Sequence, residues 1–525
     1  MENLLQLDWL WWALIGSVLL IFAIWSSKLL YKFGVPTLLL FLGLGMFIGE
    51  SGPVGIKFND AMFANHICSI ALVFIMFFGG FGMKWKKAKP VALQAGFLAT
   101  FGTLLTAVTF GFAAVLILQS SILEGLLLGA IVCSTDATST FSILRTKKLN
   151  LKGGLASLIE MESGSNDPIS YLLTVTFLGL LQGNILSGWA VVWFLVQQIG
   201  VSLIVTAVFS FAAHHLFKKV HLDVEGLYFI LAFAVVVACY SVTTALGGNG
   251  YLAVYILGIV IGNTKFAARR SMVHFFDGFT WLLQIIMFFI LGLLVTPTHM
   301  IGYALPSVIC FIVLCFLARP LSVFITLFPF WKNKGLFSKK MTLKEKAFVA
   351  FVGLQGDSSI AFAAIVLSSG LLFGEPLFNI VFFVCLLSLT IQGTLIPVVA
   401  RKLNLLDDNA ESVLSTFSDY PDSDKTKLLK LKLTKGDFWC GKKVADLNLP
   451  ASVLIVMVWQ QGKRVVPNGS TVLHQGDKLI LTGSDDDELI QLSKRACAVP
   501  AIEAEQNDLQ EIEVEATDNL KISEN

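Results

Sequence analysis

Glu160-Met161-Glu162-Ser163-Gly164-Ser165-Asn166-Asp167-Pro168 sets three acids inside an otherwise apolar stretch. In a helix Ser163, Asn166 and Asp167 share one face, because they lie three and four residues apart. Glu162 and Asn166 are also four apart. Pro168 cannot donate to the carbonyl of Gly164, so that acceptor is left free. A carboxylate, an amide and a hydroxyl on one face form a hard oxygen site. Such a site suits a monovalent or hard divalent cation, not a soft metal. The plainer reading is a satisfied buried polar cluster. It is disfavoured because several acids in so short an apolar stretch are costly.

Two further stretches carry chemistry. Cys133-Ser134-Thr135-Asp136-Ala137-Thr138-Ser139-Thr140 is a run of hydroxyls with one carboxylate. Ser and Thr compete for backbone hydrogen bonds, so this run makes a poor continuous helix. Gly353-Leu354-Gln355-Gly356-Asp357-Ser358-Ser359 has the same flaw. Both predict interrupted helices, whose freed carbonyls and half-helix ends could hold a cation. The alternative is a pair of Ser/Thr-lined helix interfaces. Arg319, before Pro320, is the one base deep in an apolar window. It is expected to pair with an acid, Glu162 or Glu160 or else Asp357, rather than to snorkel. His214, His215 and His221 flank a window end and read as ordinary interfacial residues in preference to a pH sensor. A carboxyl can hold either a proton or a cation. One such group, exposed alternately to each side of a membrane, suffices for exchange.

These residues need a scaffold, and composition names it. Of 525 residues, 55% are apolar and 14% charged. A soluble globule of this size has too much surface for so few charges. The expected fold class is an all-α polytopic membrane protein with inverted repeats, two broken helices and a small α/β cytosolic domain. Thirteen apolar windows lie between residue 8 and about residue 400: roughly 8–30, 35–50, 63–83, 91–119, 122–144, 153–182, 187–217, 226–246, 250–264, 279–296, 302–330, 344–371 and 377–399. Loops after odd-numbered windows are rich in Lys and Arg, as at Lys84, Lys86, Lys87 and Lys89. Those after even-numbered windows carry Lys57 alone. The positive-inside rule then puts the N-terminus outside and the C-terminal domain in the cytoplasm. The formal charge of +2 gives no reason to expect nucleic acid. The eight cysteines are scattered without a CxxC, so neither zinc nor a redox pair is indicated. The first window begins with an interfacial Trp belt at Trp9, Trp11 and Trp12 and reads as a retained helix.

Ile75-Met76-Phe77-Phe78 recurs as Ile286-Met287-Phe288-Phe289, and Gly45 and Gly49 recur as Gly258 and Gly262. Each pair is seven windows apart. An odd separation gives the two copies opposite orientation, as in the inverted repeats of secondary transporters. The domain plan is a membrane part at 1–402, a polar linker at 403–426, an α/β unit at 427–496 and an acidic, disordered tail at 497–525. Within the unit, Leu429–Leu433, Ser452–Trp459 and Lys478–Thr482 read as strands and Asp485–Ala496 as a helix.

With these motifs the chain resembles NhaP-type monovalent cation:proton antiporters, most closely the potassium/proton branch. The resemblance runs over about residues 10–495. It rests on Ser134-Thr135-Asp136, on Glu162 to Pro168, on Gly250-Tyr251-Leu252-Ala253-Val254-Tyr255, on Phe276-Asp277-Gly278, on Ala318-Arg319-Pro320-Leu321-Ser322-Val323 and on Gln392-Gly393-Thr394. It implies a homodimer, ligation of the monovalent cation by Asp167, Ser163 and the Thr135 backbone with Asp136 nearby, and a structural role for Asn166. Residues 427–492 resemble a TrkA-C (RCK-C-like) regulatory domain, through Leu447-Asn448-Leu449-Pro450, Val466-Pro467-Asn468-Gly469 and Gln475-Gly476-Asp477-Lys478-Leu479. Two departures stand out. Phe78-Gly79-Gly80 replaces an acid followed by Gly-Gly, and Gln355 replaces an Arg, with Asp357 added.

The expected function is exchange of K⁺ or Na⁺ for H⁺ across a bacterial inner membrane. It is expected to be electroneutral, because Asn166 cannot titrate beside Asp167, and regulated by an unidentified ligand at 427–492. No enzyme activity and no cofactor are expected. The alternatives are a cation channel gated by the cytosolic domain and, last, a non-transporting sensor.

Overall fold

The computed structural model describes residues 38–406 and 427–483, with interruptions at 51, 59, 148, 186, 220–223, 265, 267, 296–299, 301, 332–340, 434–436, 448, 451–452 and 461–462. Before residue 38 it describes 14, 16–18 and 21. The chain divides into two units at Asp419. The helix expected at Asp485–Ala496, the tail, His221 and most of the first apolar window lie outside the described residues.

The first unit is helical: α1 (Leu38–Ile48), α2 (Ala61–Gly82), α3 (Lys89–Leu118), α4 (Ile122–Val132), α5 (Ala137–Thr146), α6 (Leu155–Leu181), α7 (Gly188–Lys219), α8 (Glu225–Ala245), α9 (Gly250–Gly262), α10 (Arg269–Leu294), α11 (Ala304–Thr326), α12 (Leu343–Val352), α13 (Asp357–Ser368) and α14 (Gly374–Lys402). Among the described residues seven helices are long and apolar enough to cross a bilayer, and α12 with α13 makes an eighth, bent by 44°. The thirteen-window count is therefore coarser in the structure. At 11 and 13 residues, α4 and α9 are too short to cross alone. Large apolar side chains such as Trp189, Ile204 and Phe211 are exposed, as lipid-facing groups are.

Glycine sets the tightest crossings. A Cβ on Gly45 would strike the Phe289 carbonyl, and one on Gly258 would strike the Phe77 carbonyl. Gly49 lies against Leu293 and Gly262 against Phe81 in the same way. These are the glycines and the Ile-Met-Phe-Phe stretches of the sequence repeat. One backbone-to-backbone contact is thus built twice, with α1 on α10 and α9 on α2. Two helices seven windows apart also share a stretch of wider, π-type turn, at Leu98–Gly102 in α3 and Leu314–Ala318 in α11. A third such stretch, Ser388–Gln392, lies in α14.

The half-helices that lead into the two breaks start alike. Ser121 Oγ accepts from the Glu124 amide while Glu124 accepts from the Ser121 amide. Thr342 and Glu345 make the same reciprocal pair. Each satisfies two orphan amides of a first turn. In sequence the two caps sit at equal distance before Asp136 and Asp357.

The second unit is a four-stranded antiparallel sheet in the order β1-β4-β2-β3, with β1 at Lys427–Lys432, β2 at Val453–Gln460, β3 at Lys463–Val465 and β4 at Lys478–Gly483. Three of these strands match the expected ones; β3 is additional. Val453 and Ile455 of β2 and, past an irregularity in register between Ile455 and Met457, Val458 face a core with Trp439, Leu473, Leu479 and Leu481.

Candidate functional site

Two short non-helical stretches concern the site, 133–136 between α4 and α5 and 353–356 between α12 and α13. The two broken stretches meet. The Asp136 amide donates to the Leu354 carbonyl at 2.8 Å. Gly356 allows this approach, because a Cβ there would fall on the Asp136 carboxyl. Gly353 likewise lies against Arg319 and the Thr135 methyl. Each break frees backbone groups that must find partners in a low-dielectric interior.

The side chains of the first break point in two directions. Asp136 turns onto its own half-helix: Oδ1 accepts from the Ser139 amide at 3.1 Å and Oδ2 from the Ser139 hydroxyl at 2.5 Å. That is an N-cap, which starts α5. Ser134 and Thr135 face α6. The Ser134 hydroxyl donates to Asp167 Oδ1. Thr135 Oγ1 lies 2.9 Å from Ser163 Oγ and accepts from Asn166 Nδ2 at 2.7 Å. The Thr135 amide in turn points at Asn166 Oδ1, at 3.4 Å. Asn166 therefore braces the break, and Asp167, one residue on, presents its carboxylate there. The Ser358 hydroxyl and the charge of Asp357 also reach Asp167. Asp136, Glu162 and Asp357 are buried, whereas Asp167 is only half-buried. It is the carboxylate of this group with the freest access to solvent or ions.

Arg319 of α11 pairs with Glu162 through Nη2 and Oε1 at 2.7 Å, both side chains at most 3% exposed. Glu162 Oε1 also accepts from Asn166 at 3.3 Å. The pair thus joins α11, α6 and the brace on the first break. Arg319 Nε and Nη1 make no hydrogen bond among the described residues. Removing one partner of such a buried pair strands the other charge, at a cost of about 3–5 kcal/mol.

Asp357 opens α13 and is not paired with Arg319. Its Oδ2 accepts from Gln284 Nε2 of α10 at 3.0 Å, and its Oδ1 from the Ser358 amide at 2.9 Å. The Gln355 amide group accepts from the Ser359 hydroxyl at 3.3 Å. Phe78 is buried in α2. His214 meets Thr264 at 3.0 Å and His215 is exposed. The structure therefore brings Thr135, Ser163, Asn166 and Asp167 together, keeps Asp136 beside them as a cap, and sets Glu162 with Arg319 behind them. Sequence reasoning left Ser134 out of the ligand set and did not single out Gln284. A lone amide within Trp281-Leu282-Leu283-Gln284-Ile285-Ile286-Met287 was the available signal.

A crossing of two broken helices lined by hydroxyl, amide and carboxylate oxygens, with Asp167 half-buried beside it, can bind a small hard cation or a proton. The comparisons point the same way. Residues 17–402 match the sodium/hydrogen exchanger family in its transmembrane part, and residues 428–494 match the TrkA-C domain. The K(+)/H(+) antiporter NhaP2 of Shewanella sp. (strain MR-4) is 34% identical over 90% of this chain and 81% of its own. The K(+)/H(+) antiporter NhaP of Alkalimonas amylolytica is 32% identical over 89% and 80%. The Na(+)/H(+) antiporter 1 of Methanocaldococcus jannaschii is 27% identical over 70% and 84%. In fold, the chain resembles the sodium proton antiporter MjNhaP1 of M. jannaschii. The TM-score is 0.65 at 24% identity, over 74% of this chain and 98% of that one. Such relatives are transporters and not enzymes. The chain belongs to the sodium/hydrogen exchanger family of cation/proton antiporters, in its NhaP-type branch, and carries a TrkA-C domain.

Proposed function

We propose that this chain exchanges K⁺ or Na⁺ for H⁺ by alternating occupancy of the Asp167 carboxylate. The observation that carries the reading is the half-buried Asp167, bonded to Ser134 where the two broken stretches cross. Ser163 and Thr135 supply further oxygens within reach of a bound ion. The names of the relatives that match over most of the chain favour K⁺. Asn166 carries no titratable charge, and Glu162 is held by Arg319. The Asn166–Asp167 pair then offers one exchangeable charge, which supports one proton per cation and electroneutral turnover.

The membrane part is read as thirteen spans in a bacterial inner membrane, with the N-terminus outside and the TrkA-C domain in the cytoplasm. The assembled form is read as a homodimer. Residues 427–492 are read as a regulator that binds a soluble ligand. In everted vesicles or proteoliposomes, a K⁺ or Na⁺ pulse should drive proton movement independent of membrane potential. Cation flux with no proton movement would replace the antiporter with a gated channel. Potential-dependent turnover would overturn the one-for-one coupling.

A further inference from the structure

The second broken stretch is held by a side chain outside the site described so far. Gln392, in the wide turn Ser388–Gln392 of α14, is 3% exposed. Its Nε2 donates to the carbonyl of Phe351 and, at 3.3 Å, to that of Gly353. Its Oε1 accepts from the Ser388 hydroxyl at 2.9 Å and from the Cys315 thiol at 3.2 Å. Ser388 Oγ in turn accepts from the Gln355 amide at 3.0 Å. The amide group of Gln392 thus uses both donors and both lone pairs. A closed relay runs from the Gln355 N–H through Ser388 to Gln392 and back to the carbonyls of residues 351 and 353. The Phe351 and Gly353 carbonyls and the Gln355 amide are thus satisfied from α14, as the Thr135 amide of the first break is satisfied from α6 by Asn166.

The parallel goes further. The sequence windows that hold Asn166 and Gln392 are seven apart, as are the two breaks and the two glycine crossings. Four residues apart on one face of α14, Ser388 and Gln392 lie side by side at the break. Cys315 belongs to the wide turn of α11, one turn before Arg319, so the clamp also ties the break to the helix that carries the buried guanidinium.

We propose that Gln392, with Ser388, is a positioning residue for ion exchange: the counterpart of Asn166, holding the second broken stretch so that Ser358 and Leu354 meet Asp167 and Asp136. This rests on the antiporter reading of the Asp167 site. Gln392→Glu is nearly isosteric and sets an acceptor against two carbonyls. Ser388→Ala removes one hydroxyl from the relay and leaves the volume almost unchanged.

The test is cation-driven proton flux in proteoliposomes, beside the cation-dependent shift of the melting temperature of the purified protein. The second measurement reads binding without requiring proton coupling. Gln392→Glu is expected to raise KM and the binding midpoint about tenfold, with less than a threefold fall in maximal rate; Ser388→Ala should raise both about threefold. Gln392→Asn, too short to span both carbonyls, should fall between wild type and Gln392→Glu. Should Gln392→Glu fail to fold, Ser388→Ala decides alone. Unchanged KM and midpoint in a folded variant overturn the proposal, as does a fall in maximal rate that merely follows lost thermal stability. Wild-type protein that binds cation without exchanging it would sink the antiporter reading and leave the clamp to be judged on the binding midpoint.

Discussion

In the proposed mechanism, exchange turns on Asp167. It is half-buried, whereas Asp136 is committed to Ser139 and Glu162 to Arg319. Asp167→Asn keeps the shape and one acceptor for Ser134 but removes the charge for which cation and proton compete. It should abolish cation-driven proton flux in vesicles while the protein still folds and inserts. Near-normal flux in that variant would sink the mechanism. Gln355 and Phe78 test the electrostatics. A guanidinium at 355 would enter the break beside Asp136 and Asp357, so Gln355→Arg should raise the apparent KM for the cation severalfold by repulsion. Adding Phe78→Asp should recover part of the loss. Unchanged affinity in the single variant, or no recovery in the double, would exclude this account. Asp167, Ser163 and Asn166 were legible from spacing alone, because helical period fixes a shared face. The partner of Asp357 was not, because Gln284 lies on a helix that only tertiary packing brings near.

At the scale of elements, glycine spacing was legible and helix length was not. The repeat of Gly45 and Gly49 as Gly258 and Gly262 marked two tight crossings, and the structure seats those glycines on carbonyls of the facing helix. Gly258→Ala should therefore destabilise the protein by about 1–3 kcal/mol through overpacking. Gly278→Ala, where a Cβ meets open space, should be neutral or slightly stabilising. Comparison of melting temperatures in one detergent checks both; equal shifts would mean that the crossing can relax. The breaks were visible as hydroxyl-rich and glycine-rich runs, yet what starts the half-helices was passed over. Ser121-x-x-Glu124 and Thr342-x-x-Glu345 fit a capping-box pattern that a scan of the chain would find. Wide turns leave no such trace, because they arise from packing around a local insertion and not from residue type.

For the whole molecule, the alternation of basic and base-poor loops pointed to a membrane protein with a C-terminal domain on the more basic side. The sheet of residues 427–483 has its own core, around Trp439, Val458 and Leu479. Ending the chain at residue 410 should leave ion-coupled flux intact but shift its response to pH or to a soluble ligand. Complete loss of flux in a truncated protein that still inserts would show that the domain belongs to the transport machinery. Strand β3 was missed because three residues are too few to show alternation. The meeting of the two breaks also bears on how the protein is made. The Thr140 hydroxyl reaches the Val352 carbonyl 212 residues later, and the Asp136 amide reaches Leu354. At a ribosomal pace of about 5–20 residues per second, the first break waits roughly 10–40 s for its partner. During that interval a capped acid and unpaired amides sit in or beside the bilayer. The first half of the chain, expressed alone, should therefore be degraded, and co-expression of the second half should rescue it, as immunoblots of membranes would show.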